Sequence, residues 1–449
     1  MSAIALLMGL LLLSYVGSLI LGGRTARGLP SGIEFVGLGF IVGPHALGLV
    51  ESSMIGEFEP IVQVALGWLA FVVGLDFGRV GGRRVGGKSI ALGVAGAVIT
   101  GVVVAIAVHE MLVRVTVPGI DATGTLLLAA GAGAVASETT RFGIEWVSAR
   151  WNAKGPVSSL LTEIGASDDL APLVAAGAIF AFAPTPGLAV VLPPGGWFVL
   201  SIALGALLGT VTALLLRSAE GYQVWGALVG TLLLGVGISA RFGLCTIFVT
   251  FVMGMALAAV SPSRRVLRRM VSPTERAVLY PMLLLAGARL DPQPLIESRM
   301  LLALVALVLL ARIAGKLATG ILVRMAMPAA RPAGPGLGIV LLSSGPMSMS
   351  CGFVFALRFP GAVGDTLLVC AAASAVLGEV VSTLALKGML DHLGELSPMP
   401  SAAPSRPGGD GADHDPDGDT EHVDRDSGEH AAVPPPPDSV REVDEGAST

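Results

Sequence analysis

Two acidic residues, Asp168 and Asp169, stand side by side in the apolar stretch SSLLTEIGASDDLAPLVAAGAIFAF. Two basic residues, Arg312 and Lys316, interrupt LLALVALVLLARIAGKLATGILV one helical turn apart, and so on one helix face. Glu138 closes the small-residue run GAGAVASETT, and Glu379 falls midway along the apolar segment 363–390. Carboxylates are hard oxygen ligands for Na+, K+ or Li+, and they also carry protons. A site that holds either a cation or protons, but not both, exchanges one for the other by simple competition. Like charges at one depth disfavour joint ionisation, which suits an adjacent pair to proton exchange.

The setting gives these groups their weight. Of 449 residues, 53% are apolar and 14% are charged, with a mean hydropathy of +0.78. An ordinary soluble domain carries roughly 25% charged residues. Glycine fills 60 positions, an excess suited to close helix packing in lipid. Cys245, Cys351 and Cys370 lie in apolar runs, with neither a disulfide framework nor a metal-ligand spacing. A soluble multidomain protein is excluded, and a polytopic membrane protein is expected.

A membrane-crossing helix needs about 20 mostly apolar residues. Candidate spans fall at about 3–22, 32–50, 61–78, 89–113, 123–140, 157–183, 196–217, 223–240, 242–260, 277–290, 299–324, 334–358 and 363–390, thirteen in all. No basic region precedes the first run, and Arg24 and Arg27 follow it, so a retained span is expected rather than a cleaved signal. Alternate loops carry 18 Lys and Arg against 5 in the intervening ones. The positive-inside rule then sets the N-terminus outside and the C-terminus in the cytoplasm. From Ser397 onward there are 13 acidic residues and three Arg, a net of −10, in a segment rich in Pro, Gly, Asp and Ser. That composition predicts a disordered acidic cytoplasmic tail over 397–449, following a transmembrane domain over 1–396.

An ionisable residue at mid-membrane costs about 2.5–3.5 kcal/mol on insertion scales. A purely structural ion pair is the competing explanation, but a static buried pair seldom repays its desolvation. Asp76, Asp365 and Lys387 lie at span ends, where charged heads reach the interface, and are discounted. Two spans also read as broken. The fifth ends in glycines followed by Ser137, Glu138, Thr139 and Thr140, and the twelfth contains Gly345-Pro346 among Ser343, Ser344, Ser348 and Ser350. Proline removes a backbone donor and ends the helix before it. Non-helical backbone at membrane depth is tolerated where it lines a cavity, and paired interruptions in two halves point to a transport site. Spans 1–6 and 8–13 are therefore read as inverted repeats with span 7 as connector, an order-and-length inference without a residue-level repeat.

The segment PSGIEFVGLGFIVGPHALGLV resembles the glycine-rich second-helix signature of Kef-type and NapA-type monovalent cation:proton antiporters. LGWLAFVVGLDF resembles their next helix, and Ser137–Thr139 resembles the S-x-T motif of their crossing helix. Asp168–Asp169 resembles their ion-binding pair, and Arg312–Lys316 their R-x-x-x-K helix. The resemblance implies an antiporter fold with two crossed discontinuous helices, its core site helices at about 123–183 and 299–390, moving against a dimerisation domain. It implies a homodimer in the inner (plasma) membrane exchanging Na+ or K+ for protons, electrogenically, without a cofactor. Asp169 would be the principal cation ligand and proton carrier, and Asp168 the second carboxylate, paired with Lys316 in one state. Thr139, Ser137 and carbonyls of the broken fifth helix would complete the cation shell. Glu138, Glu379, Ser343 and Ser344 are expected behind that shell, with Arg312 as a charge partner.

The remaining classes fare worse. A sodium-coupled symporter of an organic solute on the same scaffold is the alternative, and it needs a roomier pocket. An intramembrane aspartyl protease needs acids on two helices, and His109-Glu110 lacks the second His of a metalloprotease motif. No Walker A sequence is present, which argues against an ATP-driven pump, and nothing suggests nucleic-acid binding.

Overall fold

The computed structural model describes residues 31–50, 52–80, 83–115, 120–185 and 191–396, together with residue 9 and residues 12–17. The expected acidic tail and most of the first expected span lie outside the described residues. In chain order the main helices are α1 (Glu34–Val42), α2 (Glu59–Asp76), α3 (Gly87–Arg114), α4 (Ala122–Ser137), α5 (Arg141–Arg150), α6 (Pro156–Gly165) and α7 (Leu170–Phe182). They continue with α8 (Pro194–Leu215), α9 (Tyr222–Phe242), α10 (Thr246–Val260), α11 (Arg264–Arg289), α12 (Arg299–Ala326), α13 (Leu337–Val340), α14 (Pro346–Arg358) and α15 (Ala362–His392). Among the described residues the only strands are Arg79–Val80 and Arg83–Arg84, a short antiparallel pair after α2. The architecture is all-α.

Among the described residues, seven helical units are long and apolar enough to cross a membrane alone: α2, α3, the α6–α7 rod, α8, α9, α12 and α15. Of the other described spans some are short or interrupted and one is extended, for reasons written in their residues. The fifth span breaks between α4 and α5, and the twelfth between α13 and α14, as the Ser/Thr and Gly-Pro runs predict. The second span is helical only over α1, because Gly43 turns the chain out of the helix. The tenth is longer than expected, its basic first turn extending α11 back to Arg264. The sixth span, expected to be continuous, is interrupted between Gly165 and Leu170, where Asp168 and Asp169 sit.

Close helix approaches display, residue by residue, the repeat expected from the order and length of the spans. Where α1 crosses α11, Gly39 faces the Leu284 carbonyl and Gly287 faces the Val36 carbonyl, with no room for a Cβ. Where α10 crosses α2, Gly254 faces the Phe71 carbonyl and Gly74 faces the Phe251 carbonyl. Exchanging spans 2 and 3 with spans 9 and 10 maps one crossing onto the other, residue by residue. A third approach maps onto itself: Gly96 of α3 meets Thr319 of α12, and Gly315 of α12 meets Thr100 of α3. The Thr100 and Thr319 hydroxyls lie 3.4 Å apart there, and Thr319 also donates to the Gly96 carbonyl. Both halves thus share one packing scheme around a pseudo-twofold axis between Thr100 and Thr319, as inverted repeats require.

Candidate functional site

The site grows from two interrupted helices that meet at their broken ends. Helix α4 is built of Gly and Ala over its last two turns, so neighbours approach its backbone closely. It stops at Ser137, and Glu138 continues in an extended conformation. Thr140 then caps α5, its hydroxyl accepting from the Phe142 N–H at 3.3 Å. On the other side α14 begins with Pro346, whose missing N–H costs nothing in the first turn. The two extended segments touch directly: the Thr140 N–H donates to the Ser343 carbonyl at 3.2 Å, and the Ser343 hydroxyl to the Thr140 carbonyl at 3.1 Å.

Broken helices leave backbone groups without partners, and charged side chains meet them here. The Glu138 carboxylate accepts from the N–H groups of Gly345 and Ser348, at the positive end of α14. At the opposite polarity, Arg312 donates through Nη2 to the carbonyls of Glu138 (2.9 Å), Leu342 (3.0 Å) and Ser343 (3.2 Å). One turn on, Lys316 Nζ donates to the Ser137 carbonyl and the Thr139 hydroxyl, both at 2.6 Å. Thr139 in turn donates to the Leu341 carbonyl at 3.1 Å. Both cations are almost completely buried, at 2% and 1% exposure.

The adjacent acids of the α6–α7 turn face different surroundings. Asp168 is buried, with Oδ2 3.8 Å from Lys316 Nζ and Oδ1 without a hydrogen bond. Asp169 instead lines a cavity of about 30 Å³ with Glu138, Thr140, Arg141, Glu275 and Ser350. A water needs roughly 10–15 Å³ measured this way, so the space suits a water or one small desolvated ion.

A family model described as the transmembrane sodium/hydrogen exchanger matches residues 9–391. The chain belongs to the sodium/hydrogen exchanger family. Its fold matches the solved structure of the sodium proton antiporter MjNhaP1 from Methanocaldococcus jannaschii at pH 8, with a TM-score of 0.63 and 14% identity. That match covers 86% of this chain and 97% of the other. An electron-microscopy map of the same antiporter matches with a TM-score of 0.59 at 16% identity, covering 88% and 99% of the two chains. A search of curated proteins by sequence gives no match. The chain is thus a multi-pass membrane protein of an exchanger family, in the antiporter fold expected from its spans and breaks.

Within this exchanger fold the expected site residues do not all meet in one place. Asp168, Lys316, Thr139 and the Ser137 carbonyl form one connected cluster, while the Ser137 hydroxyl turns back to the Ala134 carbonyl at 2.8 Å. Asp169 and Glu138 share the cavity, and Ser343 stitches the crossing. Glu379 is apart from Arg312: its carboxylate accepts from the Ser31 N–H (2.7 Å) and hydroxyl (2.5 Å), just before α1. The Ser344 hydroxyl is buried without a partner.

Sequence reasoning missed four members of the neighbourhood. Thr140, rather than Thr139, borders the cavity, and Arg141 and Glu275 complete its polar wall. Asp76, set aside as a span-end charge, is buried against Arg268 (2.7 Å) and Arg141 (3.8 Å). A signal for Asp76 was present: it ends an apolar helix, where the negative pole of the dipole disfavours an acid lacking a cation.

Proposed function

We propose that the chain exchanges one monovalent cation, Na+ or K+, for protons by alternating access. The carrying observation is the charge inventory at the crossing. Three carboxylates (Glu138, Asp168, Asp169) stand against two cations (Arg312, Lys316), a sum of −1 with all five ionised. While Lys316 keeps its charge, one monovalent cation or one proton brings that sum to zero, and a second occupant overshoots it. Uncompensated charge is expensive away from water, so the two occupants exclude each other. The small cavity supports a bare ion over the organic solute of a symporter.

Asp169, open to the cavity, is taken as the principal ligand and proton carrier, with Asp168 as its partner. Cation binding to Asp168 withdraws the carboxylate that faces Lys316, and a buried Lys so released gives up a proton. Two protons then leave for each cation that binds, and each cycle moves one net charge. This reading takes the chain as a homodimer of the plasma membrane, N-terminus outside, with the 397–449 tail in the cytoplasm.

The test is proton flux in proteoliposomes with Na+, K+ and Li+ in turn, under diffusion potentials set by valinomycin, K+ being tested with a second clamp. One charge per cycle shifts the null point by about fifty-fold in gradient ratio per 100 mV. A null point independent of voltage refutes the two-proton stoichiometry. Wild-type exchange in a well-folded Asp169→Asn variant refutes the site.

A further inference from the structure

Beside the five charges counted above, the cavity wall carries two more of opposite sign, Glu275 and Arg141, which leave that sum unchanged. Arg141 is the first residue of α5, where the positive end of the helix dipole makes a cation unfavourable. Its side chain is 15% exposed and forms part of the cavity wall with Asp169. Close packing brings it there: a Cβ at Gly165, the last residue of α6, would lie 3.4 Å from the Arg141 Cα. The guanidinium is only loosely anchored. Asp76 at 3.8 Å and Glu145 at 3.9 Å both lie at the outer limit of an ion pair. Asp76 has its own closer cation in Arg268 at 2.7 Å, so the departure of Arg141 leaves it paired. Carboxylates face Arg141 from every side: Asp76 from α2, Glu145 from α5, Glu275 from α11, Asp169 from the α6–α7 turn and Glu138 from the crossing.

We infer that Arg141 is a tethered cation that competes with the transported ion for Asp169. Its guanidinium leans on Asp76 and Glu145 while the ion is bound, and turns to Asp169 once the ion has gone. A guanidinium stays charged at all working pH values, so it competes as a cation and never as a proton donor. Arg141 is thereby an affinity-setting residue: it weakens ion binding and favours release into the cavity. The inference rests on the assignment of Asp169 as the cation carboxylate.

The experiment measures the Na+ dependence of proton flux in proteoliposomes at alkaline pH, where protons compete least for Asp169. Arg141→Gln is expected to lower the KM for Na+ by about tenfold, the weight of one unit charge a few ångströms away across a cavity that screens it nearly as bulk water does. Arg141→Lys, which keeps the charge, is expected to stay near wild type. Asp76→Asn removes the opposing anchor, frees the guanidinium toward Asp169 and is expected to raise the KM. Loss of packing alone does not produce opposite signs at the two positions. A KM unchanged in both variants, or moved in the same direction in both, overturns the inference. If Arg141→Gln fails to fold, Asp76→Asn decides by itself: a raised KM supports the inference, and an unchanged or lowered one overturns it. Exchange that survives Asp169→Asn overturns the site assignment instead, so the two failures are told apart.

Discussion

Replacing Lys316 with Gln removes the charge that faces Asp168 and two short hydrogen bonds, to the Ser137 carbonyl and the Thr139 hydroxyl. At 3.8 Å and an effective dielectric near 20, the Lys316–Asp168 attraction is about 4 kcal/mol. Breaking a buried pair from one side costs about 3–5 kcal/mol, because the remaining charge stays in a poor solvent. Asp168 has little to fall back on, since its Oδ1 already lacks a hydrogen bond. Adding Asp168→Asn removes the stranded carboxylate, so the double variant should recover much of the loss. The expected coupling is about 2 kcal/mol or more, well above the roughly 0.5 kcal/mol within which independent sites add. Unfolding of the purified protein in detergent, for wild type, both single variants and the double variant, gives that number directly. The Lys316→Gln single variant should be the least stable of the four. Strictly additive losses would refute the claim that the two residues act as a charge pair.

Three further outcomes follow from other parts of the structure. Gly254→Ala sets a methyl group against the Phe71 carbonyl and should cost about 1–3 kcal/mol, read as an earlier unfolding midpoint, whereas Gly230→Ala, which meets nothing, should not. Glu395→Ala should lower stability by about 1 kcal/mol, because the carboxylate caps the first turn of α6 through the Val157 and Ser158 N–H groups, both at 2.9 Å, where Gly155 offers no side chain. Deleting residues 400–449 should leave the exchange rate in proteoliposomes unchanged, since that segment lacks any apolar run able to join the bundle.

Much of the scaffold was legible because lipid allows few solutions. Long apolar runs and breaks at Ser/Thr and Gly-Pro clusters are each dictated by the lack of water at membrane depth. The break at Asp168–Asp169 was missed although Gly165, Ser167 and the two Asp favour turns over helix, because the apolar runs on either side add up to one span length. Asp76 was read as an interface charge because it stands at a span end, and Arg141 follows the broken fifth span in what reads as a loop. Burial at such a position depends on which helices cover that end, and only tertiary packing decides it. Glu379 shows the converse: its depth was read correctly as buried, but its partner is a serine 348 positions away in sequence.

The pseudo-twofold packing shows how an active arrangement arises from two similar halves. Aligning Gly96 and Thr100 of α3 with Gly315 and Thr319 of α12 sets Gly93 opposite Arg312 and Ala97 opposite Lys316. The halves therefore share a scaffold and differ in charge. At Gly93 the small residue lets the Asp168 turn come close, a Cβ there lying 2.8 Å from the Ile164 carbonyl and 3.4 Å from the Asp168 N–H nitrogen. At Arg312 the same register instead sends a guanidinium to the carbonyl ends at the crossing, including Leu342 and Ser343 beyond α13. A basic residue at position 93 would expel the Asp168 turn, and a glycine at position 312 would strand those carbonyls. Asp168 and Lys316 can thus meet only because the two equivalent helices have diverged in opposite directions, one toward small residues and one toward cations.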